Sequence, residues 1–277
     1  MINSQDISKI LGCSPLGQQQ DGGQQPATRL DYTGTILQKP FGFSRTKIIK
    51  SGDMVEIYDA ERPFKYGFKG KSRKNSSHKS IRYDEHRARS IIRAINNVRR
   101  LIHLNFTEND IFLTLTFNND QNFDINNLKT CLPFYQKFVR QLHRVYPNLI
   151  YITVPEFQKR GAVHYHLIYN LPFITEDELK KFWPYGFFKQ KKIMSSMHLA
   201  FYLCKYLGKK FDDKRKEGHR LFYSSRNLKR PQTFYGSRME QISMEYKKMH
   251  CDTLQYENKY NSAHNGAVEY RQYAKKK

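Results

Sequence analysis

The sequence predicts a fold that combines helices with β-strands and includes an antiparallel hairpin. Apolar residues recur at helical spacing over 83–104, and a continuous apolar run of strand length occupies 111–117. Two further strand-like runs flank the short turn 159–161, an arrangement typical of a hairpin. The 277 residues are enough to bury one sizeable core.

The composition divides the chain into three predicted segments. Residues 1–50 include a stretch rich in Gln and Gly, which predicts a flexible leader. Residues 51–235 contain the periodic patterns, and we expect them to form the folded domain. Residues 236–277 are polar, basic and rich in Tyr, and we expect a C-terminal tail there.

Helices and strands are both predicted within residues 51–235. The predicted helices are 83–104, 132–145 with Pro133 in its first turn, a short helix that the capping box of Thr175 and Glu178 opens and Pro184 ends, and 195–210. The predicted strands are 54–58, 111–117, 149–158, 162–171, 186–193 and one within 218–235. Residues 62–80 are rich in Lys, Gly and Ser, which predicts a basic loop.

The positive charge is concentrated in two segments. Lys and Arg number 48 against 25 acidic residues, which gives a formal net charge of +23. Residues 62–104 and 181–230 each have an excess of eleven positive charges, so the stretch between them is nearly neutral. Basic surface beside a neutral core favours contact with nucleic-acid phosphates, because each neutralised phosphate releases counterions. The alternative is that the charge only keeps the protein in solution.

The sequence also excludes several classes of protein. No apolar run approaches the ~18 residues that span a bilayer, and the N-terminus does not resemble a secretory signal, so we expect no membrane partner. Four scattered cysteines without C-x-x-C spacing argue against a zinc ribbon and a disulfide framework, and they indicate a reducing, cytoplasmic setting. Residues 67–72 resemble part of a phosphate-binding loop, but Lys65 stands where that pattern needs Gly, which excludes an NTPase motor.

A histidine pair in the predicted hairpin is the first indication of chemistry. His164 and His166 are two apart on a strand, so both imidazoles point to one face. If the turn has three residues, Gln158 pairs with Ala162, and Glu156 lies directly opposite His164. Two imidazoles and a carboxylate on one face form a site for a divalent metal with open positions. Gln158 shares that face and is a further candidate ligand or a neighbour of the ligands.

Other interpretations of the histidine pair explain less. A purely structural role, with the histidines in solvent or satisfied by hydrogen bonds, leaves the opposed Glu156 unexplained. Ile168 stands where a nucleotide hydrolase would have a third histidine, and Asn170 and Leu171 stand where a cupin would have Glu. A metallo-β-lactamase-like site would need an Asp-His pair soon afterwards, and the sequence lacks one there.

A tyrosine pair in the predicted helix 195–210 is the second indication. Tyr202 and Tyr206 are four apart and so share a helix face, and Lys205 and Lys209 repeat this spacing on the adjacent face. A phenol becomes a useful nucleophile when a metal polarises the target phosphate and a cation stabilises the phenolate. The alternative is that both tyrosines belong to the apolar stripe of a core helix.

Together these motifs resemble the rolling-circle replication initiators of the HUH endonuclease superfamily, in the two-tyrosine form of small single-stranded-DNA phages and related plasmids. In the family's order, 112–117 (FLTLTF) resembles the first motif, Glu156 with 161–166 (GAVHYH) the second, and 202–209 (YLCKYLGK) the third. Residues 225–229 (SRNLK) resemble a segment that often follows. The resemblance covers about 83–231, and Phe117 stands where many members have Tyr.

The resemblance implies an α+β fold of the HUH or RRM-like nickase type, in which a central antiparallel sheet carries the histidines and a helix carries the tyrosines. It implies that one tyrosine attacks single-stranded or extruded origin DNA, becomes joined to the 5′-phosphate and frees a 3′-OH. The second tyrosine would make the next cleavage. Glu156, His164 and His166 are expected to hold Mg²⁺ or Mn²⁺, and Lys205 or Lys209 is expected to stabilise the phenolate or the phosphate.

The expected partners are single-stranded DNA at a replication origin, a host DNA polymerase and, since the chain has no NTPase motif, a separate helicase. The resemblance places the protein in the cytoplasm of a bacterial host, as a monomer or weak oligomer. The cationic residues expected to contact DNA are Arg87, Arg93, Arg160, Arg226, Lys229 and Arg230. Two alternatives stay open: a single-strand transposase or relaxase of the same superfamily, and a non-catalytic protein that binds single-stranded nucleic acid.

Overall fold

The computed structural model describes residues 41–67, 83–193, 203 and 218–274, with side chains of the first helix from residue 87 onward. Within these ranges the protein has an α+β fold with two five-stranded antiparallel sheets and four α-helices. The chain divides into two compact units: Ser76–Arg230, and Met1–Asn75 together with Pro231–Lys277. None of the helices in the described ranges combines the length and the apolar character that a bilayer span requires.

The elements are numbered in chain order. The strands are β1 (Gly42–Ser51), β2 (Met54–Tyr66), β3 (Ile111–Thr116), β4 (Tyr151–Phe157), β5 (Val163–Tyr169), β6 (Phe188–Lys192), β7 (Tyr223–Ser224), β8 (Gln232–Phe234), β9 (Leu254–Ser262) and β10 (Gly266–Ala274). The helices are α1 (Tyr83–Asn105), α2 (Leu128–Val145), α3 (Glu176–Phe182) and α4 (Met239–Met249).

The unit Ser76–Arg230 contains the sheet β6-β3-β5-β4-β7. Because side chains alternate along a strand, its two faces carry different residues. We call one the histidine face; its central strands contribute Phe112, Thr114, Thr116, Ile152, Val154, Glu156, His164, His166 and Ile168. We call the other the aromatic face; its central strands contribute Leu113, Leu115, Thr153, Phe157, Tyr165, Leu167 and Tyr169.

Each face is covered by a helix with its own apolar cluster. Helix α1 contributes Val98, Leu101 and Ile102 to a cluster with the apolar residues of the histidine face. Helix α2 and Trp183 belong to a larger cluster with the aromatic face. Burial of a large apolar side chain contributes about 1.5–3 kcal/mol, so two such clusters hold the sheet firmly from both sides.

Helix α2 begins one turn earlier than the sequence pattern predicts. Asn127 caps the helix by accepting a hydrogen bond from the Lys129 backbone N–H, so the helix starts at Leu128 rather than near 132. The prediction that Pro133 lies in the first turn is therefore wrong, since Pro133 lies inside the helix. The predicted capping box is confirmed: Thr175 accepts from the Glu178 N–H, and α3 ends at Phe182, before Pro184.

The second unit contains the sheet β8-β1-β2-β10-β9 and helix α4. Its core joins Ile48, Val55 and Ile57 of β1 and β2 to Ile242 and Tyr246 of α4. The carboxylate of Asp59 on β2 accepts hydrogen bonds from Thr46 Oγ1 at 2.6 Å and from Lys247 Nζ at 2.5 Å. These bonds hold β1 and α4 against β2.

This unit divides the chain differently from the predicted segments. Strand β1 begins inside the segment 1–50, where we expected a leader, and β2 extends into the expected basic loop. The segment 236–277, where we expected a tail, contains α4, β9 and β10. Strand β9 is almost wholly exposed at a sheet edge, so its composition is that of a polar tail although its backbone is paired.

Candidate active site

The hairpin β4–β5 brings the predicted metal-binding side chains to one face. Glu156 lies opposite His164, and Val154 lies opposite His166, which confirms the register predicted from the turn length. The Gln158 backbone N–H donates to the Ala162 carbonyl at 2.9 Å and closes the turn. Gly161 adopts a φ of 101°, a conformation that residues with a Cβ rarely adopt.

His166 is the most firmly held member of the group. Its Nε2 lies 2.7 Å from Glu156 Oε2, and its Nδ1 lies 3.2 Å from Thr114 Oγ1 on the neighbouring strand β3. The ring also stacks on Phe112, with centroids 5.9 Å apart and planes 14° apart. Only 4% of His166 is exposed, so these contacts fix both the position and the orientation of the imidazole.

Thr114 is a site residue that the sequence analysis did not identify. A hydroxyl group can either donate or accept, so it can satisfy His166 Nδ1 in either tautomer. When Nε2 holds a proton for Glu156, Nδ1 accepts from Thr114. If Nε2 were needed as a ligand, Nδ1 could carry the proton and donate to Thr114, which is the usual support of a metal-binding histidine.

His164 differs from His166 in having a buried nitrogen without a partner. Its ring centroid is 6.1 Å from that of His166, and its Nε2 is buried with no hydrogen-bond partner within the structure described. Burial lowers the pKa of His164 to about 4, helped by the neighbouring charges of His166 and Arg160 and opposed by that of Glu156. His164 is therefore neutral at pH 7, the state in which an imidazole can bind a metal.

The three side chains have the chemistry of a divalent-metal site. Two imidazole nitrogens and a carboxylate are ligands that first-row divalent ions accept, and an unpartnered buried nitrogen needs such a partner. Adjacent ligands at about 2.1 Å from one ion lie about 3 Å apart, close to the 2.7 Å between His166 Nε2 and Glu156 Oε2. In the described residues, no three His, Cys, Asp or Glu side chains already form such a cluster, because His166 and Glu156 bond directly to each other.

Arg160 and Gln158 are held together at the end of the hairpin. Arg160 donates through Nε to Gln158 Oε1 at 2.6 Å and through its terminal nitrogens to Asn119 and to the Phe117 carbonyl. The Gln158 oxygen is thus already bonded, which disfavours it as a direct ligand. Arg160 is fixed as a positive charge near His164, where an incoming phosphate could meet it.

The predicted tyrosine motif lies almost entirely outside the described residues, including Tyr202, Lys205, Tyr206 and Lys209. Leu203, which follows Tyr202 directly in the sequence, is described. It is helical and fully buried, and it belongs to the cluster on the histidine face together with Val154 and Ile168. At Leu203, the segment that carries the tyrosine motif thus contacts the sheet face that carries the histidines.

The residues predicted to contact DNA are spread over several elements. Arg93 is exposed and Arg87 is half-buried on α1. Arg226, Lys229 and Arg230 are exposed after β7, and the Lys229 backbone bonds the Asn105 side chain at the end of α1.

Two lysines on β6 are further candidates that the sequence analysis missed. Lys189 pairs with Thr114 and Lys191 pairs with Phe112, so both lie on the histidine face, and both are exposed. Their spacing of two on a predicted strand was the available signal, but the strand's position beside β3 became evident only in the fold. They extend the positive surface along the edge of the site.

The comparisons with known proteins agree with this arrangement in one respect. Residues 110–211 match the family model of the replication-associated protein ORF2 and gene 2 protein. The matched range contains β3, the histidine hairpin and the tyrosine motif, and it supports a role in the initiation of DNA replication. Searches of curated proteins and of solved structures found no match.

Proposed function

We propose that this protein is a rolling-circle replication initiator that nicks one DNA strand and transfers it through a phosphotyrosine intermediate. One observation carries the proposal: Glu156, His164 and His166 share a sheet face with Leu203, which the sequence places between Tyr202 and Tyr206. The similarity of residues 110–211 to a replication-associated family supports it independently.

Three side chains would hold the metal in this proposal. Glu156, His164 and His166 would bind Mg²⁺ or Mn²⁺, which would polarise the scissile phosphate as a Lewis acid. Thr114 would orient His166 through its bond to Nδ1. Neutral His164 is ready to bind without first losing a proton.

The reaction exchanges one phosphodiester for another. The phenol oxygen of one tyrosine attacks the phosphorus, the bond from phosphorus to the 3′ oxygen breaks, and the phenol proton ends on that 3′ oxygen. The products are a tyrosine joined to the 5′-phosphate and a free 3′-OH, so no oxidant or nucleotide triphosphate is consumed. Lys205 or Lys209 would stabilise the phenolate, and the second tyrosine would repeat the exchange to close a circle.

The positive side chains would hold the strand across the site. Lys189 and Lys191 lie on the histidine face at the β6 edge, and Arg160 lies beside His164. Phosphate contacts of this kind position the strand and confer no base preference. A separate helicase would supply single-stranded DNA, and a polymerase would extend the 3′-OH.

The proposal is tested by covalent capture. Full-length protein is incubated with a randomised single-stranded oligonucleotide pool and Mn²⁺, adducts that survive denaturation are isolated, and the joined residue is identified by mass spectrometry. We expect adducts on Tyr202 or Tyr206, and none from the variant Tyr202→Phe/Tyr206→Phe. The matched control is Tyr256→Phe/Tyr260→Phe, which removes two exposed phenols at the same spacing on β9 and should leave adduct formation unchanged.

The other outcomes identify the alternatives. Retention of the oligonucleotide without an adduct, with or without Mn²⁺, would indicate a non-catalytic single-strand-binding protein. An adduct that depends on one tyrosine only, with no circular product, would indicate the transposase or relaxase alternative. An adduct on a residue outside this pair would refute the proposed nucleophile.

A further inference from the structure

A cavity of about 510 Å³ lies on the opposite side of the sheet from the histidines. It is lined by α2, by the start of β4 and by residues 220–227. Tyr223 pairs with Thr153 across β7 and β4, and both residues therefore point to the aromatic face. The cavity and the candidate active site thus use the same strands but open on different faces.

The lining of this cavity is strongly cationic. Arg140 on α2 and Arg220 and Arg226 near β7 contribute three guanidinium groups, all on exposed residues, and His143 lies beside them. No Asp or Glu is among the described residues that line the cavity. Guanidinium groups are the side chains best suited to bind a phosphate through paired hydrogen bonds.

The cavity also has aromatic walls. Tyr151 and Tyr223 are half-buried, Tyr135 forms the floor, and the rings of Tyr135 and Tyr223 are 5.6 Å apart. Burial raises the pKa values of Tyr151 and Tyr223, opposed by the charges of Arg226 and Arg220 respectively. The phenols therefore stay neutral, and they leave the arginines as the charged groups of the cavity.

Phosphate-binding arginines beside tyrosine rings form the combination that binds single-stranded nucleic acid. Bases stack on aromatic rings without regard to sequence, while cations follow the backbone. A cavity of this size also lies within the range that binds one small organic ligand, such as a nucleotide unit.

We propose that this cavity is a second DNA subsite, which binds a nucleotide of the single strand away from the cleavage site, with its phosphate on Arg140, Arg220 and Arg226 and its base against Tyr151 or Tyr223. Only the choice of DNA as the polymer rests on the proposed function. The subsite would hold the strand independently of the metal, so that a cut strand stays bound between the two transfer steps.

The first test measures binding in the absence of divalent ions. The affinity of full-length protein for fluorescent oligo-dT is measured by anisotropy over a series of salt concentrations, with EDTA present. We expect Arg140→Gln/Arg226→Gln to weaken binding about tenfold and to reduce the slope of log K against log salt by about two, since two phosphate contacts are lost. The matched control Lys137→Gln/Arg144→Gln removes two exposed positive charges from other positions of α2 and should change binding less than twofold.

The second measurement locates the DNA. Oligo-dT that contains 5-iododeoxyuridine is cross-linked by light, and the joined peptides are identified by mass spectrometry. Cross-links to Tyr151 or Tyr223 support the subsite; cross-links found only elsewhere, or equal losses of affinity in the two double variants, overturn it. Neither measurement requires cleavage, so a failure of the subsite leaves the covalent-capture result untouched, and a failure of cleavage leaves this test intact. A loss of affinity for oligo-U but not for oligo-dT would also overturn the proposal, in favour of RNA.

Discussion

The two faces of the sheet β6-β3-β5-β4-β7 carry different chemistry on the same strands. Along β5, His164, His166 and Ile168 point to one side, while Val163, Tyr165, Leu167 and Tyr169 point to the other. The aromatic face is packed against α2 and Trp183, with Phe117 and Trp183 rings 4.9 Å apart. One period-two pattern thus provides both the ionisable groups and the rigid support that holds them in place.

The contrast is clearest at Tyr165, which stands between the two histidines in sequence. It is fully buried, burial raises its pKa far above the ordinary value, and its hydroxyl has no hydrogen-bond partner within the described structure. A phenol in that environment cannot reach a phosphate. Proximity in sequence to the histidines is therefore no guide to the nucleophile, whereas the face on which a residue lies is informative.

The largest expected effect tests the histidine face directly. The variant His164→Ala/His166→Ala should reduce cleavage roughly a thousandfold, the factor that corresponds to about 4 kcal/mol of lost transition-state stabilisation, because both imidazole ligands are gone. Affinity for single-stranded DNA should remain within about threefold, since the phosphate-binding cations are intact. Cleavage is measured on an oligonucleotide selected by covalent capture, with exposed His264→Ala as the control. Cleavage at the parental rate would refute the metal assignment.

A smaller effect should follow from loss of the support behind His166. Thr114→Val removes the partner of His166 Nδ1 while it preserves the side-chain shape, and we expect metal affinity to fall about 10–100-fold, seen as a higher Mn²⁺ concentration at half-maximal cleavage. Thr114→Ser retains the hydroxyl and should restore the parental value. Equal behaviour of the Val and Ser variants would show that the hydrogen bond is not used.

The lysines of β6 should have a moderate effect on binding. Lys189→Gln/Lys191→Gln should weaken DNA binding several-fold and lower the salt slope by about one to two, because these residues lie on the histidine face. Lys180→Gln/Lys181→Gln on α3 removes the same charge from the helix that packs with the aromatic-face cluster. If both double variants weaken binding equally in a salt titration, only the net charge matters and the face does not.

The smallest effect is expected on the aromatic face. Tyr165→Phe removes a buried hydroxyl without a partner, so the free energy of unfolding should stay the same or rise by up to about 1 kcal/mol, and cleavage should be unchanged. Denaturant unfolding and the cleavage assay measure the two quantities. The same Tyr→Phe change at positions 202 and 206 is expected to abolish adduct formation. A large loss of cleavage in Tyr165→Phe would contradict the division of roles between the faces.

Much of the site was predictable from local sequence. The spacing of His164 and His166, together with a three-residue turn, determined that Glu156 would lie on their face, and the register confirms it. The sequence did not predict which histidine Glu156 contacts. Glu156 bonds His166 on the diagonal rather than the directly opposed His164, because side-chain orientation depends on the packing of Thr114 and Phe112 around His166.

The division of the chain was less accessible to sequence analysis. Strand β2 pairs with both β1 and β10, and β10 follows β2 by about two hundred residues. No local pattern announces such a pairing, and β9 is an exposed edge strand whose polar residues resemble those of a tail.

Local sequence alone determined the alternation of side chains, the turn and therefore the set of groups that share a face, because these depend on backbone geometry within a few residues. Tertiary structure decided which of those groups touch, which nitrogen lacks a partner, and how the two ends of the chain combine into a second sheet. These features depend on packing between segments far apart in the chain, where many partners are chemically equivalent and only the complete fold selects among them.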